Sequence, residues 1–298
     1  TTTTWMIQGA SGFLLNRPPG TPAALSLALR ATRSFARSGL GLEFVRQLLL
    51  TPRQRVIATC RSPAAALQLQ DLQRQHRAQL DVLQLDVQDD ASIDAVGEFV
   101  ETSFDGWIES NHERLSLALT LTLLDRSPGR LDRLVNLTAV LHDDTMRPET
   151  RYQALNRAQL MKSMEVNAVG NILVASRMLP CLIAAGDGRG GSNGSGGPAV
   201  LANMSARVSS ISDNGLGGWY SYRSSKTALN QLTKTLAVEM SRKKHNVTCV
   251  LLHPGRATLT LEVGIELDRD VRSARPSLTL SLSLSFTHAP RLFVRSFV

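Results

Sequence analysis

Short apolar runs alternate along this chain with stretches of helical period. Trp5-Met6-Ile7-Gln8 reads as a first strand, and Gly39 to Leu49 as a helix with an apolar face. Arg55 to Cys60 is β-branched and apolar, the mark of a second strand. Pro63 to Leu80 reads as a Gln- and Ala-rich helix with proline in its first turn, and Leu80 to Val87 as a third strand. Asp89 or Asp90 caps a helix running to about Phe104. Leu131 to Asn136 forms the next strand, and Gln159 to Ala185 a long helix. Ala199 to Ser205 is a fifth strand, Tyr222 to about Lys244 a helix with Leu229, Leu232, Leu236 and Met240 on one stripe, and Asn246 to Leu252 a sixth strand. Strand and helix in alternation predict an α/β fold, a Rossmann-like doubly wound parallel sheet with helices on both faces.

Two blocks interrupt that rhythm. Residues 12–38 separate Gly9-Ala10-Ser11 from Gly39-Leu40-Gly41, and residues 107–129 separate a helix from the strand that should follow it. The reading is one domain over 1–255 with insertions at about 12–38 and 107–129, then an atypical low-complexity tail over 256–298. Within that tail, Ser277 to Ser285 alternates Leu with Ser or Thr and has strand period.

The net charge of +8 invites a nucleic-acid reading, but its distribution argues otherwise. Residues 12–38 hold four Arg and no acid, and 256–298 hold six Arg against four acids, so much of the basicity lies in the foreign blocks. No aromatic-basic alternation suggests base stacking. No apolar run reaches the 18 or so residues a membrane helix needs. Cys60, Cys181 and Cys249 are scattered in apolar surroundings without metal spacing, so we expect reduced core thiols, a cytoplasmic location and no metal site.

Chemistry enters at Tyr222-Arg223-Ser224-Ser225-Lys226. Four residues apart on a helix, Tyr222 and Lys226 share a face. A lysine ammonium beside a phenol favours the phenolate and lowers its pKa, so the pair can move a proton to or from a substrate oxygen. Three more motifs keep it company. Val166-Asn167-Ala168-Val169-Gly170 and Asn203-Met204-Ser205 precede it, and His253-Pro254-Gly255 follows. Together these resemble the short-chain dehydrogenase/reductase family, most closely its sniffer-like and C-factor-like carbonyl reductases, whose Gly-Gly-x-Tyr-x-Tyr-Arg-x-Ser-Lys-x-Ala-Leu-Asn run matches Gly217 to Asn230.

The resemblance implies NADP(H)-dependent interconversion of a carbonyl and an alcohol in a small-molecule substrate. It implies Tyr222 as proton donor, Lys226 as its electrostatic partner and ribose ligand, and Asn167 as the holder of a proton-relay water. Cofactor contacts would come from Gly9, Ser11, Gly39, Leu40 and Gly41 in a split glycine loop. Asp86, Val87, Asn136, Pro254 and Gly255 would add to them. Arg61 ends the second strand with no acid beside it, which suits a 2′-phosphate and hence NADP(H) over NAD(H). A homodimer or homotetramer is implied, with neither nucleic acid nor membrane as partner.

The chain also departs from the family pattern. Ala139 stands where a glycine is expected beside the cofactor, and Ala206 where a serine would polarise the substrate carbonyl. Ser205 or Ser209 is the expected substitute. These departures keep a second expectation open, a catalytically impaired dinucleotide-fold remnant acting at most as a scaffold.

Overall fold

A computed structural model describes residues 3–8, 40–51, 54–102, 129–188 and 197–253, and the backbone of three later strands at 262–267, 280–285 and 295–296. Gly9, Ser11, Gly39, Pro254, Gly255, the block 12–38 and nearly all of 107–129 lie outside the described residues.

Six parallel strands form the centre: β1 (Thr3–Gln8), β2 (Gln54–Cys60), β3 (Leu80–Gln84), β4 (Arg133–Asn136), β5 (Ala199–Met204) and β6 (Val247–Leu252). Two further strands, β7 (Glu262–Leu267) and β8 (Leu280–Ser285), pair antiparallel in a separate ribbon, and β8 falls within the Leu/Ser alternation. A two-residue strand, β9 (Arg295–Ser296), lies antiparallel against β6, giving the sheet order β3-β2-β1-β4-β5-β6-β9. The order reverses between β1 and β4, the place where open parallel sheets leave a crevice at their carboxyl ends.

Helices cover both faces. On one face, α1 (Leu40–Leu49) and α2 (Leu67–Gln75) pack Leu42, Phe44, Val45, Leu48 and Leu69 against Trp5, Ile7, Val56 and Ala58. On the other lie α3 (Asp90–Thr102), then α4 (Arg157–Met164), a π-helical turn (Glu165–Val169) and α5 (Gly170–Asp187) in one continuous run, and α6 (Tyr220–Lys243). Ile93, Val96, Val174, Met178, Leu182 and Met240 from these helices close over Met6, Ile57, Leu134 and Leu201. Sequence parity along each strand thus sorts side chains into two cores.

Several boundaries differ from those expected. The helix expected from Pro63 to Leu80 is a 3-10 turn (Pro63–Ala65) followed by α2, because Ala66 (φ −94°, ψ 61°) leaves helical geometry. His76 (φ −123°, ψ 43°) ends α2, which frees Leu80 to pair with Val56. Strand β3 stops at Gln84 because its neighbour β2 ends at Cys60, whose carbonyl takes a last bond from Leu85 N at 2.9 Å. Asp89, rather than Asp90, caps α3, its Oδ1 accepting from Ala91 N at 3.1 Å.

The run Arg157–Asp187 is long and apolar enough to cross a membrane by length and composition, contrary to the expectation that no run reaches that length. Here it is a core helix: Val174, Ala175, Met178, Cys181 and Leu182 are all fully buried under the sheet.

Candidate functional site

The carboxyl ends of β4 and β5 carry a buried chain of amides. Asn136 Nδ2 donates to Asn203 Oδ1 at 2.8 Å and to Asn171 O at 3.2 Å. Asn203 Nδ2 passes the chain to Thr233 Oγ1 at 2.9 Å, and Thr233 Oγ1 donates to Leu229 O at 2.7 Å. These bonds tie two central strands to α5 and α6 through groups sealed from water. Asn203→Ala is expected to lower unfolding stability by about 1–3 kcal/mol, because Asn136 Nδ2 and Thr233 lose a buried partner. Urea denaturation checks this, and an unchanged midpoint would remove the amide chain from the stability of the fold.

A second amide anchors the π-helical turn. Such a turn breaks the regular helix ladder and is frequent at functional sites. Here Asn171 Nδ2 lies within 3.0–3.1 Å of two carbonyls of the turn, Val166 O and Asn167 O, and 3.1 Å from Thr138 O in the segment after β4. Asn167 faces the other way. Its Oδ1 accepts from Val140 N at 2.6 Å, and its Nδ2 donates to Val140 O at 2.8 Å and to Ser225 Oγ at 3.0 Å. Asn167 therefore joins the segment after β4 to the residue next to Lys226. Asn171 was not singled out from the sequence. Two asparagines four apart in an apolar helix were the available signal, since neither has a reason to be there unless its amide bonds backbone.

Helix α6 carries Tyr222, Lys226 and Asn230 at intervals of four. Lys226 is fully buried and its Nζ donates to Met204 O at 2.7 Å. Burial pulls its ammonium down to about 7. Tyr222 is 7% exposed, and burial pushes its phenol up to about 12. The four-residue spacing alone predicts that Lys226 lowers the phenol. In this structure desolvation dominates both groups and drives them toward their neutral forms. The Trp219 ring meets Tyr222 edge-on, with centroids 6.3 Å apart.

Asn230 holds the two serines. Ser205 Oγ donates to Asn230 Oδ1 at 2.6 Å, Asn230 Nδ2 donates to Ser209 Oγ at 2.7 Å, and Ser209 Oγ donates to Ala206 O at 2.6 Å. A hydroxyl has one proton to give. In this arrangement both serine protons are committed within the protein, and neither is left for a substrate oxygen. Ala206 itself has extended backbone (φ −150°, ψ 151°) at the start of the following 3-10 turn. Next to it, Arg207 N donates to His253 Nδ1 at 3.2 Å, and burial holds that imidazole below its usual range.

The described cofactor candidates gather at the carboxyl edge of the sheet. Arg61 follows β2 and is exposed. Asp86 and Val87 follow β3: Asp86 Oδ1 accepts from Gln88 N at 3.1 Å, while Val87 is buried in the core beside Gly170. Asn136 ends β4 with its amide nitrogen committed as above. Leu40 and Gly41 open α1, the helix that enters between β1 and β2 in the chain. Among the described residues, no group of three or more His, Cys, Asp or Glu is arranged to hold a metal ion.

A doubly wound sheet with Tyr222 and Lys226 on one helix over its carboxyl edge narrows the comparison with known proteins. The sequence pattern of the short chain dehydrogenase family matches residues 116–264, half of the chain. The chain belongs to the short chain dehydrogenase family.

Its relatives span several activities. C-signal of Myxococcus xanthus is 32% identical over 98 residues, which cover 33% of this chain and 51% of C-signal, about half its length. A 1-hydroxy-2-glutathionyl-2-methyl-3-butene dehydrogenase of Rhodococcus sp. (strain AD45) is 27% identical over 181 residues, 61% of this chain and 69% of that protein. Among solved structures, an NADPH-bound carbonyl reductase from chicken fatty liver superposes with a TM-score of 0.59 at 25% identity, covering 85% of this chain and 79% of its own. The carbonyl reductase Sniffer of D. melanogaster gives the same TM-score at 24% identity, with 85% and 80% covered. This member of the short chain dehydrogenase family has carbonyl reductases among its structural neighbours.

Proposed function

We propose that the chain is an NADP(H)-dependent reductase that interconverts a carbonyl and an alcohol in a small-molecule substrate. The observation that carries this reading is the placement of Tyr222 and Lys226 on one face of α6, above the carboxyl end of β5. In reduction, the neutral phenol of Tyr222 gives its proton to the carbonyl oxygen. Lys226, buried on the same helix face, gains its proton near pH 7, and that positive charge favours the phenolate left behind. Asn167, bonded to Ser225 and to both backbone groups of Val140, fixes the helix turn under Lys226 and is our candidate to order a relay water.

The residues present suit a dinucleotide. An exposed guanidinium at Arg61, where the second strand ends, is matched to a 2′-phosphate by its forked donors. Leu40 and Gly41 would lie under the pyrophosphate, Asp86 and Val87 beside the adenine, and Lys226 against the ribose. A bound nicotinamide would supply the hydride. The three cysteines are buried free thiols, which supports our proposal of a cytoplasmic location.

The commitment of Ser205 and Ser209 to Asn230 and Ala206 favours a second reading, a chain that binds dinucleotide but turns over slowly. Fluorescence titration with NADPH and NADH separates the two. Tighter NADPH binding is expected, with Arg61→Ala removing about 1–3 kcal/mol of that preference. Equal affinity for both nucleotides would sink the Arg61 assignment. Tight NADPH binding without reduction of any carbonyl would favour the impaired reading.

A further inference from the structure

Immediately before α6 the backbone takes three left-handed residues in succession: Gly217 (φ 64°), Gly218 (φ 66°) and Trp219 (φ 54°). Glycine adopts this region freely, but a residue with a Cβ, such as tryptophan, is strained there. Such a residue persists when its surroundings over-determine it. Two residues do so. On one side Arg223 reaches back over the turn, its Nε donating to Gly218 O at 3.0 Å, and its two terminal nitrogens to Gly217 O and Val208 O, each at 3.3 Å. On the other side lies Glu149, only 3% exposed. Its backbone carbonyl accepts from Trp219 N at 2.5 Å. Its carboxylate accepts from Ser221 N at 3.3 Å and, in a short bond, from Ser221 Oγ.

Helix α6 has no cap of its own, since Trp219 makes no side-chain cap bond and the first turn holds no acid. The Glu149 carboxylate, 72 residues earlier in the chain, does that work at the positive end of the helix dipole. Tyr222 is the residue after Ser221 and lies edge-on to the Trp219 ring. Of the residues leading into Tyr222, Gly217 and Gly218 are bonded to Arg223, and Trp219 and Ser221 to Glu149.

We infer that Glu149 and Arg223 are positioning residues for Tyr222, clamping a left-handed turn so that the phenol is held at one place and one angle. This rests on the reading of Tyr222 as proton donor. A displacement of about 1 Å at a reacting group can cost roughly 100-fold in rate. Glu149→Ala is therefore expected to lower kcat for 4-nitrobenzaldehyde about 10- to 100-fold, with NADPH Kd within about 3-fold of the parent. Glu149→Gln keeps an acceptor for Ser221 and is expected to return kcat to within about 3-fold.

Arg223→Lys keeps the charge but loses the fork, and is expected to lower kcat in the same way without emptying the buried acceptor site. It serves if Glu149→Ala fails to fold. Full kcat per folded molecule in either variant overturns the clamp, as does a Glu149→Gln variant no better than Glu149→Ala. A readout without turnover separates the clamp from the reductase reading. In the full chain labelled with 3-fluorotyrosine, the 19F resonance assigned to Tyr222 is expected to shift or broaden in Glu149→Ala and Arg223→Lys, and to stay in place in Glu149→Gln. The exposed Tyr152 serves as internal control. If the parent reduces no carbonyl, these shifts still support the clamp while the reductase reading fails. An unmoved Tyr222 resonance overturns the clamp whatever the activity.

Discussion

Tyr222→Phe is expected to reduce carbonyl turnover by about 10²- to 10⁴-fold, the range for a lost general acid, while NADPH affinity stays within about 2-fold. The substitution removes one oxygen from a ring that is 7% exposed, and leaves the contact with Trp219 and the helix cap unaltered. The burial that pushes the phenol up to about 12 gives a direction as well. The proton is in place throughout the neutral range, so reduction does not require deprotonation of Tyr222. Alcohol oxidation needs the phenolate and, with the phenol pushed up to about 12, should rise with pH throughout pH 6–10 without a plateau. Steady-state rates in both directions across pH 6–10 check this. A Tyr222→Phe enzyme that keeps reduction within about 3-fold of the parent would move the proton donor elsewhere.

Lys226→Met is expected to remove activity and, at low pH, to make the protein more stable. The folded-state ammonium titrates at about 7 against an ordinary value of 10.5. Between those pH values the unfolded chain binds a proton that the folded chain does not, so stability rises with pH across that window. Below about pH 7 both states are protonated, and the full cost of a buried charge is present. That cost is at most about 5 kcal/mol from a shift of this size. Methionine removes it but leaves Met204 O without its partner, a loss of about 1–3 kcal/mol. The variant should therefore gain a few kcal/mol at pH 6, and the gain should vanish as pH approaches 10. Urea unfolding at pH 6 and pH 9.5 measures both. A stability difference that does not change with pH would show that Lys226 is not a desolvated cation.

Both experiments bear on one trade-off. A lysine held in the core against a single carbonyl costs stability, and such a cost is ordinarily kept only where a function needs the group. The buried Glu149 carboxylate differs in kind, because the helix end it caps compensates its charge.

The amino-acid sequence by itself determined the order of strands and helices, the sorting of apolar residues to two faces of a sheet, and the four-residue spacing of Tyr222 and Lys226. These are local properties, set by periods of two and 3.6 along a few neighbouring residues. It determined the family through motifs that keep their order along the chain. Its helix ends were less secure at Ala66 and His76, where single backbone angles with no strong sequence mark end the regular structure.

Only the tertiary structure decided how the site is wired. Ser205 and Ser209 look available in the sequence, but Asn230 and Ala206 O take up their protons. Tyr222 and Lys226 look like a mutually tuning pair, yet the depth of burial that raises one and lowers the other is set by the whole fold. Asn167 meets Ser225 across 58 residues, and Glu149 meets Ser221 across 72. No local pattern encodes such contacts, because their partners are brought together by the packing of α4, α5 and α6 against the sheet rather than by spacing along the chain.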